Sequence, residues 1–262
     1  MKKIFKKKYL IIGLCIVIIA AIIALIAGII YLQPVKADNV AFEEAKKNQD
    51  ITIKDDGSNW IITPKQQSKA DLIFYTGGLV EEKAYINNLS KVAAQETITI
   101  YIPKILFNLA FFDIGAADKI IQKYKLTDIY VAGHSLGGVA ACYYTKDHKD
   151  KVKGLVLMAS YCDKPISDYK GEVLSIAGDQ DGVINFSKKD EEDKLLPENS
   201  QIALIPGMNH GQFGNYGNQK GDKKAEIPND QATQEILSQM QIINWGANLD
   251  DVPAVEDMQS AE

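Results

Sequence analysis

Six stretches of this chain are apolar almost throughout instead of alternating with polar residues: ADLIFY (Ala70–Tyr75), TITIYI (Thr97–Ile102), DIYVAG (Asp128–Gly133), GLVLMAS (Gly154–Ser160), EVLSIAG (Glu172–Gly178) and QIALIPG (Gln201–Gly207). A strand with one wet face alternates, so strands apolar on both faces belong to a parallel sheet covered on both sides. Helical spacing falls between and after them, at Glu81–Gln95, Lys104–Tyr124, Leu136–Lys146 and Asp230–Asn248. The order predicts one α/β domain with a mostly parallel central sheet and helices on both faces. Ahead of it, ITIKDDGSNWIIT alternates on either side of Asp56-Gly57 and reads as an antiparallel hairpin, while Asp38–Asn48 reads as a short polar helix or linker. With 262 residues, 46% of them hydrophobic, the chain has enough apolar material for such a core.

The first 37 residues stand apart. Tyr9 to Leu32 carries no charge over 24 residues, which as a helix reach about 36 Å and exceed a hydrocarbon core of about 30 Å. Lys2, Lys3, Lys6, Lys7 and Lys8 precede it, which places the N-terminus in the cytoplasm and exports the rest. A signal peptide cleaved after Val35-Lys36-Ala37 is the alternative, but its apolar region is normally about 7–15 residues long, so a retained anchor is the expectation. The organisation is therefore 1–37 start and anchor, 38–248 globular domain, and 249–262 an acidic, aromatic-free tail expected to be flexible.

Six lysines and no acids lie in residues 1–37, so the remaining chain carries −11 against −5 for the whole. That balance excludes nucleic acid as a natural partner and disfavours an anionic bilayer surface for the domain. Cys142 and Cys162 are the only cysteines after the anchor; two buried free thiols are the plainer reading and a bridge between them the alternative. No metal-ligand spacing and no cofactor motif occurs, and a single histidine near the candidate site cannot supply ordinary zinc coordination.

Chemistry concentrates in VAGHSLGGVAAC. Ser135 stands where the apolar run DIYVAG ends and the helix LGGVAACYYTK begins, the context of a nucleophile elbow. Such a turn needs small residues two before and two after the serine, here Gly133 and Gly137. The Leu136 N–H, at the start of the helix, is the expected oxyanion donor. A second donor is expected after the first parallel strand, in FYTGGLV, from Gly78 or Leu79 N–H.

Of three histidines, His134 adjoins the serine and is expected to diverge from it, and His148 lies in a charged loop at the far end of the helix. His210, just after the last apolar run, is where open parallel sheets build their sites. An acid to orient it is expected between serine and histidine in the chain. Asp181 in AGDQDGV is the choice, with Asp179 as a turn cap and Asp163 in reserve.

FYTGGLV, IPKILFNLAFF, GHSLGG, AGDQDGV and GMNHGQFGNYGNQKGD together resemble the alpha/beta-hydrolase fold, and more narrowly its dienelactone-hydrolase-related subfamily. The resemblance spans nearly the whole exported domain and implies a triad of Ser135, Asp181 and His210, with Leu136 and the Gly78 region as oxyanion hole. Dienelactone hydrolases themselves carry a cysteine nucleophile, so Ser135 departs from them. The short connection Tyr161–Gly171, where lipases of this fold often insert a lid, implies an open site. The loop after His210 is implied to belong to the site, with Tyr216 or Asp222 fixing it. Many members of the subfamily are membrane-anchored proteins of Gram-positive bacteria.

The expectation is a membrane-anchored, extracytoplasmic serine hydrolase acting on a small-molecule or cell-envelope carboxylic ester or related acyl bond, without cofactor. An acyltransferase of the same fold, or an inactive fold serving as a surface binding module, is the alternative.

Overall fold

The computed structural model describes residues 2–247; within the first helix it describes the side chains of residues 14 and 16–30. The tail 249–262, expected to be flexible, lies outside the described residues. Two compact units are distinguished, residues 1–34 and 35–262.

In the first unit, Lys2–Tyr31 forms a helix of 30 residues, α1. Among the described residues no helix is long and apolar enough to cross a membrane, and the crossing expected over Tyr9–Leu32 lies partly outside the residues whose side chains are described.

The second unit opens with a short helix, α2 (Asn39–Ala45), whose first turn is capped by the Asp38 carboxylate accepting from Val40 N–H. The hairpin follows as β1 (Ile51–Asp55) and β2 (Asn59–Pro64), paired antiparallel. Asp56 closes it by accepting from Ser58 and Asn59 N–H. The apolar runs become β3 (Asp71–Tyr75), β4 (Thr99–Pro103), β5 (Ile129–His134), β6 (Val152–Met158), β7 (Glu172–Gly178) and β8 (Gln201–Ile205). All eight strands form one open sheet in the order β1-β2-β4-β3-β5-β6-β7-β8, parallel from β4 onward.

The helices are α3 (Lys83–Glu96), α4 (Ala116–Tyr124), α5 (Leu136–Asp147), α6 (Phe186–Glu192) and α7 (Asn229–Met240). Two apolar clusters flank the sheet, and β3 divides its side chains between them. Leu72 and Phe74 pack with residues of α3 and α7, and Ile73 and Tyr75 with residues of α4 and α5. That division is why this run shows no alternation. Every one of these side chains is fully buried, and truncating one, such as Leu72→Ala, costs about 2–5 kcal/mol.

Three expectations need correction. Lys104–Tyr124 is not one helix: two single 3-10 turns, Leu106–Asn108 and Ala110–Phe112, precede α4, and Phe107 and Asn108 adopt positive φ values of 55° and 53° that a helix excludes. The last helix stops at Met240, and α6, capped by Asn185, was not expected. Cys142 and Cys162 are joined as a disulfide across a Cα separation of 5.6 Å, in place of free thiols. The connection from Ala159 to Gly171 carries no helix.

Candidate active site

Gly78, Ser135, Asp181 and His210 all lie just beyond the C-terminal ends of parallel strands. Ser135 follows β5 and opens α5 with φ 52° and ψ −122°, a conformation L-residues rarely adopt. It persists because the surroundings fix it. Ser135 N–H donates to Met158 O at 2.9 Å, and Ser160 Oγ donates to Ser135 O at 2.7 Å. The flanking glycines are required by contact: a Cβ on Gly133 would sit 2.3 Å from Gly137 backbone atoms, and one on Gly137 would sit 2.3 Å from the carbonyl oxygens of Tyr75 and Thr76. The helix thus begins pressed against the end of β3.

That closeness brings the oxyanion candidates together. A Cβ on Gly78 would lie 2.9 Å from Leu136 Cδ2. Among the described residues, neither Gly78 N–H nor Leu136 N–H donates to another protein group, as a donor awaiting a ligand oxygen should not. Leu79, the other candidate in that turn, has φ 57° and its N–H donates to Asn108 O at 3.1 Å, so it is not free for the role. Gly77 N–H is likewise engaged, by Tyr85 Oη at 3.0 Å.

Asp181 and His210 meet although β8 and its flanking loops separate them in the chain. Asp181 Oδ2 lies 2.7 Å from His210 Nδ1, and both side chains are fully buried. Asp181 Oδ1 accepts from Val183 N–H at 2.7 Å and Ile184 N–H at 2.9 Å, so the carboxylate is held at both oxygens. Asp179 instead accepts from Gly207 N–H at 2.7 Å and braces the ends of β7 and β8, while Asp163 accepts from Tyr143 Oη at 3.1 Å. Neither touches His210. His148 stacks on Tyr144, and its Nδ1 pairs with Tyr144 O.

His210 begins a 3-10 turn, His210–Phe213, with a reciprocal cap between Asn209 and Gln212. Its Nε2 is buried without a hydrogen-bond partner, and no hydrogen bond joins it to Ser135 Oγ. Such bonds commonly tighten only when a substrate seats. The Asp222 carboxylate, in the amide-rich loop, accepts from Gly182, His210 and Gly211 N–H at 3.0, 3.3 and 2.9 Å. One side chain therefore clasps the loop bearing Asp181 to the loop bearing His210. Tyr216 packs toward Tyr85 and donates to Gln219.

His134 was expected to diverge from Ser135. Its side chain does leave Ser135, but it packs against His210, with ring centroids 4.5 Å apart. No sequence pattern signalled this, because the contact joins a strand end to a loop after a later strand. Among the described residues no group of three or more His, Cys, Asp or Glu side chains is placed to hold a metal ion.

Comparison with known proteins shows the same fold. Residues 71–234 match the profile of the alpha/beta hydrolase family. The structure resembles that of Est1E from Butyrivibrio proteoclasticus, at 16% identity and a TM-score of 0.54, covering 74% of this chain and 98% of that one. It also resembles a putative lipase from Acinetobacter baumannii, at 12% identity and a TM-score of 0.56, covering 78% and 96% respectively. Carboxyl esterase 2 of the fungus Tuber melanosporum is similar at 12% identity and a TM-score of 0.54, over 80% of this chain and 91% of that one. No curated protein matches the sequence. With the profile covering more than half its length, the chain belongs to the alpha/beta hydrolase family.

Proposed function

We propose that this protein is a serine hydrolase that cleaves a carboxylic ester or related acyl bond through an acyl-enzyme. The observation that carries the reading is the buried contact between Asp181 and His210, which leaves Nε2 as the unpartnered nitrogen of the His210 ring. In this reading Nε2 takes the Ser135 proton as Oγ attacks the acyl carbon, and Asp181 fixes the tautomer and stabilises the imidazolium that forms. Gly78 and Leu136 N–H bind the developing oxyanion. His210 then returns the proton to the leaving group, and water repeats the sequence to release the acid. The same acyl-enzyme opened by an alcohol would give acyl transfer.

Attachment to a membrane through residues 9–32, with the domain outside the cytoplasm, completes the proposal. Its support is the uncharged run behind a lysine cluster, together with the Cys142–Cys162 bridge, since disulfides persist mainly in oxidising compartments. Membrane fractionation followed by protease treatment of intact cells tests this part: a domain that resists digestion until the cells are lysed overturns it.

The chemical part is tested by reacting the full chain with a fluorophosphonate probe, beside Ser135→Ala and His210→Ala. Labelling confined to the wild type supports the reading. A folded wild-type protein that stays unlabelled refutes it. Release of an acyl ester upon addition of an alcohol, in competition with water, separates transferase from hydrolase.

A further inference from the structure

His134 is buried, touches His210, and has no part in the acyl-transfer scheme above. Its surroundings are unusually specific. Tyr85, from the first turns of α3, is fully buried and reaches the end of the sheet with its hydroxyl. That hydroxyl accepts from Gly77 N–H at 3.0 Å and lies 2.9 Å from His134 Nδ1. When that hydroxyl gives its own proton to Nδ1, Nε2 is the protonated nitrogen of His134, and this is the tautomer the proposal below takes. A Cβ on Gly77 would lie 2.7 Å from Tyr85 Oη and 2.8 Å from His134 Nδ1, so the turn packs directly on this pair.

We propose that Tyr85 and His134 act as a hydrogen-bonded strut that ties the Gly77–Gly78 turn to the ring of His210, making His134 a positioning residue for both halves of the site. The strut rests on the hydrolase reading above for its role in catalysis. Its logic is geometric. The Gly78 donor sits on a two-glycine turn with little intrinsic rigidity, and an oxyanion donor is effective only if it is fixed before the charge develops. Tyr85 fixes the preceding N–H, His134 fixes Tyr85, and the same imidazole backs His210 at 4.5 Å, with the Phe213 ring stacked on it at 5.5 Å.

A strut in contact with a histidine that becomes cationic must itself stay uncharged. Burial and the neighbouring His210 both push the His134 imidazole well below its usual range, against a smaller opposing influence from the His210 backbone. The Tyr85 hydroxyl is pushed up by burial first and by Tyr216 second, so it remains a donor. The titratable groups around His134 are thus Tyr85, His210 and Tyr216, with Asp181 behind His210.

The test combines 15N-histidine NMR of the full chain with the rate of fluorophosphonate inactivation. Only three histidines occur, so their ring signals can be assigned by substitution. In the wild type His134 is expected to be the neutral Nε2–H tautomer from pH 5 to 8; an Nδ1–H tautomer, or protonation in that range, overturns the strut without any variant. Tyr85→Phe and His134→Gln should each slow inactivation about tenfold, and the double variant should be no slower than either, because the two act as one unit. Unchanged rates, or losses that multiply to about a hundredfold, overturn it. A wild type that never reacts refutes the hydrolase reading instead, whereas a reactive wild type matched by reactive variants refutes only the strut.

Discussion

Asp181 Oδ2 and His210 Nδ1 lie 2.7 Å apart with both side chains closed off from solvent, and the other Asp181 oxygen is held by two backbone N–H groups. A carboxylate so held has one direction in which to point. It orients the imidazole more than it could by charge alone, because a rotated ring would leave a buried acceptor without its donor.

Replacing Asp181 by Asn preserves shape but presents either a donor or a weaker acceptor to Nδ1. Ester hydrolysis is expected to fall about 10³- to 10⁴-fold while the far-UV circular dichroism spectrum is kept. A steady-state assay with p-nitrophenyl butyrate reads the loss; a fall under tenfold would remove Asp181 from the triad and return Asp163 to consideration.

Asp222 fixes the same pair from outside by accepting from Gly182, His210 and Gly211 N–H. Asp222→Ala leaves those three donors without their acceptor and lets the two loops part. The turnover number should drop about ten- to a hundredfold, with a smaller change in KM, since a shift of about 1 Å at the reacting groups has that effect. Equal kcat in wild type and variant would reduce Asp222 to a loop ornament.

The Cys142–Cys162 bridge closes a loop of 20 residues between α5, the elbow helix, and the connection after β6. Loss of such a bridge costs about 3 kcal/mol, mostly by freeing the unfolded chain. Urea unfolding with and without reductant should show a midpoint lowered by reductant in the wild type and insensitive to it in Cys142→Ala. No shift in the wild type would mean the thiols are free in solution.

Asp71, at the start of β3, is pushed up to about 6, first by burial and then by the nearby Asp128, with the Tyr101 hydroxyl opposing. A carboxyl raised above its unfolded value of 3.8 binds its proton more tightly in the folded state, so its contribution favours folding at low pH and is lost as pH rises from about 4 to about 6. Asp71→Asn should therefore raise Tm at pH 7.5 by a few degrees and give little or no gain at pH 4; about 1 kcal/mol is expected after screening by solvent. Equal gains at both pH values would contradict the assignment.

The strands and the elbow were legible because their causes are local. An apolar run such as DLIFY must be covered on both faces wherever it folds, and a serine flanked by Gly133 and Gly137 between strand and helix can take a conformation with φ 52° only there. Chain order and the position after β8 singled out His210. The break in Lys104–Tyr124 escaped the same reading, since Phe107 has no intrinsic preference for positive φ, and Asn108, which tolerates it, is held there where Asn108 O meets Leu79 N–H.

What remained for the tertiary structure was every choice between equivalent groups. Three aspartates had suitable places in the sequence, and only packing gave Asp181 to His210 across 29 residues, Asp179 to Gly207, and Asp163 to Tyr143. The contact of Tyr85 with His134, 49 residues apart, and the pairing of the two cysteines were decided in the same way. Periodicity and backbone preference act within a few residues, so the sequence alone determined the strands and the elbow. Which side chains meet depends on how the sheet twists and the loops close at its end, and that is fixed only when the whole domain packs.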